Sequence, residues 1–217
     1  MIDNLKLQQN VQNAIQWEPS VNASDIGVRA HDGVVTLSGT VNSYARKINA
    51  ENAAKKVKGV KALAEDIIVD FGNSLNKDDT KLAKSVLKSY QRSDEIPDDK
   101  VKITVENGWV NLEGQVAWKY QKDEFQDTIK NIRGIKGVNN LITVESDSID
   151  ILERKEVENA LTRNWSIDAE GVKVNVTNNT VKLTGLVHSL YQKEEAGRLA
   201  WNAKGVWTVE NDLAVVY

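Results

Sequence analysis

The amino-acid sequence predicts an α+β protein of three tandem two-layer α/β units. Each unit is ordered helix–strand–strand–helix–strand, with a three-stranded mixed sheet. Three observations predict it. A glycine-bracketed motif recurs three times. Within each copy the apolar spacing switches from a helical to a strand period and back. A two-residue turn signal falls between the first two strands of every copy.

The repeat is read first, because it sets the domain count. Gly33-Val34-Val35-Thr36-Leu37-Ser38-Gly39-Thr40-Val41 recurs as Gly108-Trp109-Val110-Asn111-Leu112-Glu113-Gly114-Gln115-Val116. It recurs again as Asn179-Thr180-Val181-Lys182-Leu183-Thr184-Gly185-Leu186-Val187. Twenty residues after each second glycine comes another, Gly59, Gly134 and Gly205. The copies are offset by 75 and 71 residues, with no gap inside a copy. This places the units at 1–72, 73–146 and 147–217, joined around Phe71–Lys77 and Glu145–Asp150. A unit of this size is marginal alone, so contacts between units are expected.

Each element follows in order. Leu7, Val11 and Ile15 are four apart, as are Leu82, Val86 and Tyr90, which puts each trio on one helical face. Leu152, Val157 and Leu161 read less cleanly in the third copy. Asp78 and Asp79 suit the start of the second copy's helix. Ile26/Val28, Val101/Ile103/Val105 and Val172/Val174/Val176 alternate with polar residues, as strands do. Asp32-Gly33 and Asn107-Gly108 are tight-hairpin pairs, because such a turn needs φ > 0. Asn179 stands where the other copies have glycine. The return strand carries Val35/Leu37, Val110/Leu112 or Val181/Leu183.

A second helix is read from Ala50, Ala53/Ala54 and Val57, from Phe125, Thr128/Ile129 and Ile132, and from Ala196, Leu199/Ala200 and Ala203. Gly39, Gly114 and Gly185 are expected to let the chain leave the strand and start this helix. Gly59, Gly134 and Gly205 are expected to cap it in the left-handed conformation. Ile67/Val69, Ile142/Val144 and Leu213/Val215 form the last strand. The repetition of the glycines at fixed positions favours a structural role over ligand approach.

Composition narrows the function classes. There are no cysteines, which excludes disulfides, thiolate metal sites and cysteine nucleophiles. Two histidines, His31 and His188, are not repeated between copies. No catalytic triad order, metal-ligand spacing or phosphate loop occurs, so no enzyme, no metal and no cofactor are expected. Net charge is −3, against a dedicated nucleic-acid binder. Gly134-Ile135-Lys136-Gly137 mimics an RNA-binding GXXG loop, but the other copies lack the second glycine. No apolar stretch is long enough for a transmembrane helix. The first residues lack a basic region followed by an apolar one, so a cytoplasmic location is expected for the chain as written, and a periplasmic one if an export segment has been removed.

Two surface features are candidate sites. The stretch from Arg46 to Lys61 holds Arg46, Lys47, Lys55, Lys56, Lys58 and Lys61 against one acid, Glu51. A basic amphipathic helix suits an anionic membrane surface, and equally a solvated face. At about 1 kcal/mol per cation, the five net positive charges of this stretch give at most roughly 5 kcal/mol, a Kd on the order of 10⁻⁴ M. Among the tryptophans, Trp118 replaces Ser43 and Ser189, Trp201 aligns with Lys55 and Lys130, and Trp207 aligns with Lys61 and Lys136. Trp109 replaces Val34 and Thr180, and Trp17 and Trp165 fall near the end of the first helix. Trp118, Trp201 and Trp207 are read as interface aromatics, serving docking between units or contact with a membrane or partner.

These residues resemble the BON domain family. Its pattern is the glycine-bracketed hairpin, an Ala-rich second helix, and a closing G-V-x-x-V-x-N-x-hydrophobic motif. That motif reads Gly205-Val206-Trp207-Thr208-Val209-Glu210-Asn211-Asp212-Leu213 in the third copy and Gly134-Ile135-Lys136-Gly137-Val138-Asn139-Asn140-Leu141-Ile142 in the second. The first copy departs, with Glu65 at the asparagine position. The resemblance covers nearly the whole chain and implies a non-catalytic module of stress-responsive bacterial envelope proteins that binds phospholipid surfaces. The expectation is therefore a stress-related protein at an anionic phospholipid membrane surface. A protein–protein scaffold and a sensor of a small ion or ligand in osmotic stress are the alternatives.

Overall fold

The computed structural model describes residues 3–72, 78–91, 100–145, 154–162, 171–203 and 205–216. Each repeat runs helix, strand, strand, helix, strand, as the periodicities predict. The first comprises α1 (Asn4–Gln16), a 3-10 turn at Ala23–Asp25, β1 (Ile26–His31), β2 (Val34–Val41), α2 (Tyr44–Lys55) and β3 (Ala62–Val69). The second comprises α3 (Asp79–Tyr90), β4 (Val101–Glu106), β5 (Trp109–Val116), α4 (Lys119–Ile129) and β6 (Gly137–Val144). The third comprises α5 (Arg154–Thr162), β7 (Val172–Thr177), β8 (Thr180–Val187), α6 (Leu190–Trp201) and β9 (Thr208–Val215). Leu152, Trp165 and the joint residues 73–77 and 146–150 lie outside the described residues.

Each repeat has its own three-stranded sheet, ordered β1-β2-β3, β4-β5-β6 and β7-β8-β9. The hairpins are two-residue connections. His31 pairs with Val34, Glu106 with Trp109, and Thr177 with Thr180. Asp32 and Gly33 have φ of 50° and 87°, and Asn107 and Gly108 have 52° and 83°, the signs a hairpin twisting with its strands requires. In the third repeat Asn178 takes φ of 53°, and the Asn179 amide donates to the Gly205 carbonyl. The third strand runs parallel to the middle one in repeats 2 and 3, so those sheets are mixed. The second helix makes that crossover.

Helix starts are tied to the hairpins. The Asp3 carboxylate caps α1, and Asn4 Oδ1 accepts from the Asp32 N–H at 2.8 Å. Asp78 caps α3, while the Asp79 carboxylate accepts from the N–H groups of Asn107 and Gly108 at 2.7 and 3.0 Å. Acidic side chains here also complement the helix dipole.

The apolar faces meet as their periods direct. Leu7, Val11 and Ile15 of α1 are buried, as are Leu82, Val86 and Tyr90 of α3. In repeat 2 they pack with Val110, Leu112, Phe125 and Ile129. Tyr90 and Phe125 meet edge-on with ring centres 4.7 Å apart, and the Tyr90 hydroxyl donates to the Phe125 carbonyl. Burial pushes the Tyr90 phenol well above its ordinary range. Closing asparagines pin strand to helix. Asn140 donates to the Lys122 carbonyl at 2.8 Å, and Asn211 donates to that of Lys193 at 2.7 Å. In repeat 1 the corresponding positions are Glu65 and Lys47.

The compact units do not follow the repeats. Residues 1–39, 49–66 and 148–217 form one, and residues 40–48 and 67–147 form the other. In the second unit Tyr44 and Ile48, from the start of α2, pack with the core of repeat 2.

Candidate functional site

The six cations read as one basic stretch lie in different surroundings. Arg46 and Lys47 are half-buried on the first turns of α2, where the Arg46 N–H donates to Ser43 Oγ at 3.3 Å. Glu51, the acid among them, is buried. Lys55 is half-buried and forms an ion pair with Glu194 of repeat 3, its Nζ 3.0 Å from one carboxylate oxygen and 3.2 Å from the other. Lys56 is exposed, with its ammonium 5.5 Å from the centre of the Tyr191 ring. Lys58 and Lys61 are exposed. The Lys61 stem lies against Gly33, where an added Cβ would come within 2.8 Å of it, and its N–H donates to the Gly33 carbonyl.

A similar clasp recurs in the other repeats. The main-chain N–H of Lys136 donates to the Gly108 carbonyl, and that of Trp207 to the Asn179 carbonyl. The hairpin tip is thereby held to the segment after the second helix. That accounts for the glycine that follows the second helix in each repeat. Gly59, Gly134 and Gly205 take positive φ, but they follow the helix end by several residues and close the turn beyond it. They are not the immediate helix caps read from the sequence. Gly39, Gly114 and Gly185 also differ from expectation. They lie inside the middle strand, opposite Ile26, Val101 and Val172, and the strand continues past them. A Cβ on each would collide with the carbonyl oxygen of Asp25, Lys100 or Gly171, just before the neighbouring strand, which is why only glycine fits.

The tryptophans divide as well. Trp118 stands at the N-terminus of α4, where its main-chain N–H donates to Gln121 Oε1 at 3.1 Å. In the other repeats serine takes this place, and Ser189 Oγ accepts from the Gln192 N–H at 3.2 Å. Trp201 is half-buried and packs on the core of its own repeat. Trp207 is 47% exposed. Trp109, marked by the sequence as an aromatic replacement but not among its interface aromatics, is 43% exposed and lies over Gly137 on the neighbouring strand. Its signal was an aromatic where the other repeats have Val34 and Thr180. Trp17, at the end of α1, is 85% exposed.

Other polar groups are dispersed. His31 lies 3.3 Å from Asp32 at an exposed turn. His188 uses its main chain, accepting from the Gly59 N–H at 2.9 Å and donating to Gln192 Oε1 at 2.8 Å. Lys122 reaches the Ile142 carbonyl at 2.6 Å; burial, then the charge of Lys119, lowers its pKa, with Asp123 opposing. Lys182 bonds Asp212 and Glu210, which raise its pKa. A cleft of about 430 Å³ in repeat 2 is lined by Lys100, Gln115, Val116, Ala117 and Glu145. Among the described residues no three His, Cys, Asp or Glu side chains are grouped to hold a metal. No described helix is long and apolar enough to cross a membrane.

Fold and surface together define a tandem-repeat α+β protein with exposed lysines at the end of α2 and exposed tryptophans. The chain belongs to the BON domain family: the family model matches residues 3–70, 78–146 and 154–217. It is similar to osmotically-inducible protein Y of Escherichia coli (strain K12), 29% identical over 143 residues that span 64% of this chain and 71% of the relative. Among solved structures it matches CdsD, a structural protein of the type III secretion system of Chlamydia trachomatis, at 15% identity and a TM-score of 0.27, covering 97% of this chain and 92% of that one. The C-terminal domain of CdsD matches at 17% identity with the same TM-score, covering 100% of both. A TM-score of 0.27 is too low to equate the folds.

Proposed function

We propose that the chain is a non-catalytic binding protein of the osmotic-stress response that associates with anionic phospholipid surfaces. The likeness to osmotically-inducible protein Y supports the stress context. The observation that carries the surface reading is the placement of Lys56, Lys58 and Lys61, all exposed in one short segment at the end of α2.

Magnitudes limit this reading. Three exposed cations, Lys56, Lys58 and Lys61, at about 1 kcal/mol each give at most roughly 3 kcal/mol, a Kd on the order of 10⁻² M. A single segment binds feebly, so useful affinity requires further contacts made at the same time. Co-sedimentation with phosphatidylglycerol vesicles and with phosphatidylcholine vesicles, at low and high salt, tests it. Binding to the anionic vesicles alone, lost in high salt and on reversal of Lys56, Lys58 and Lys61 to glutamate, is the expected result. No binding at low salt refutes it.

The exposure of Trp109 and Trp207 favours a second reading, a protein–protein scaffold. It expects partner capture that is lost in Trp109→Ala and Trp207→Ala and is indifferent to lipid.

A further inference from the structure

The end of α2 is gripped by the start of α6. Both Glu194 carboxylate oxygens lie within 3.2 Å of Lys55 Nζ, Tyr191 lies one helical turn earlier under Lys56, and the next turn of chain is fixed by the Gly59 N–H donating to the His188 carbonyl. Two of these three contacts are electrostatic: one takes Lys55 out of the basic segment, and the other touches Lys56, which stays exposed beside it. The Glu194 side chain is 49% exposed, so the ion pair is reached by solvent and is modest in strength. A lipid phosphate is an oxyanion like the Glu194 carboxylate. It offers Lys55 the same charge-assisted hydrogen bonds and competes for the same ammonium.

We infer that Glu194, with Tyr191 one turn before it, forms an internal latch that withholds Lys55 from anionic lipid, opening when headgroup phosphates displace the carboxylate. The inference rests on the surface reading above and adds regulation to it. The grip belongs to one joint: the positions of Tyr191 and Glu194 correspond to Ala45 and Ile48 in repeat 1 and to Tyr120 and Asp123 in repeat 2, where Asp123 pairs with Lys119 of its own helix.

The test uses the full chain. Glu194→Gln frees one cation while keeping shape, so binding to phosphatidylglycerol vesicles at low salt tightens about fivefold. The gain disappears in the Lys55→Gln/Glu194→Gln double variant. Tyr191→Leu moves affinity the same way by a smaller factor. Without lipid, the Gly59 amide exchanges hydrogen faster in Glu194→Gln than in the parent, which reports the joint independently of binding. If the parent binds vesicles and Glu194→Gln binds no tighter, the latch is overturned and the surface reading stands. If neither parent nor variants bind, the surface reading falls and the latch with it.

Discussion

Repeats 2 and 3 share element order, hairpin register and parallel third strand, yet they fill their interiors differently. On the middle strand the buried residues are the same, Val110, Leu112 and Val116 against Val181, Leu183 and Val187. On the second helix they are not. Repeat 2 buries Phe125 and Ile129, where repeat 3 buries Ala196 and Ala200 and brings Leu199 and Trp201 onto the core from the helix flanks. The middle strand is hydrogen-bonded on both sides, so its side chains have one position and one size that fits. A helix is free to stand closer on alanines or further off on a phenylalanine, and the layer above the sheet absorbs the change in volume. The fold is thus set by the sheet, and the helices are where the repeats diverge.

The largest expected effect strikes what the two repeats have in common. Gly114→Ala drives a Cβ into the Lys100 carbonyl at φ of 147°, and Gly185→Ala drives one into the Gly171 carbonyl at φ of 120°. No side-chain rotation relieves a backbone collision. Each variant loses about 5 kcal/mol, enough to unfold its own repeat. Amide exchange at Val110 for the first and Val181 for the second reads the loss. If both repeats keep their protection, the middle strand is not the fixed element.

The next effect separates the repeats. Phe125→Ala removes the ring that meets Tyr90 and costs about 3–5 kcal/mol in repeat 2. The mirror change, Ala196→Phe, overfills repeat 3 and costs about 1–3 kcal/mol. Urea unfolding followed repeat by repeat is the measurement, since a chain of several units need not unfold in one step. Equal costs would mean the helix layer is as tightly specified as the strand.

What was legible in the sequence follows the same division. The hairpins were readable because a two-residue turn demands φ > 0, and Asp32-Gly33 and Asn107-Gly108 meet that demand locally. Helical faces such as Leu82, Val86 and Tyr90 were readable because burial has a period. The role of Gly39 was not. The Asp25 carbonyl that excludes a side chain there belongs to the approach to another strand, and nothing beside Gly39 in the chain announces it. Lys55 was read as one cation of a basic face because its partner, Glu194, stands in a different repeat. Glycine positions were visible, whereas the atoms that require them, and the partners of surface charges, come from the tertiary fold.

The smallest effect tests whether Trp118 is a departure of repeat 2 with a use of its own. In repeats 1 and 3 a serine oxygen meets an N–H of the second helix's first turn, from Ser43 to Arg46 and from Ser189 to Gln192. Trp118 has no acceptor to offer, although Gln121 already bonds back to the Trp118 N–H. Serine here would complete a reciprocal capping pair with Gln121. Trp118 is not among the side chains packed on the repeat 2 core, so removing its ring leaves that core filled. Trp118→Ser therefore stabilises repeat 2 by about 0.5–1 kcal/mol, read as a shift of its urea midpoint at unchanged slope. A loss in place of that gain would mean the indole makes contacts worth more than a helix cap. It would also support keeping Trp118 among the interface aromatics with Trp207.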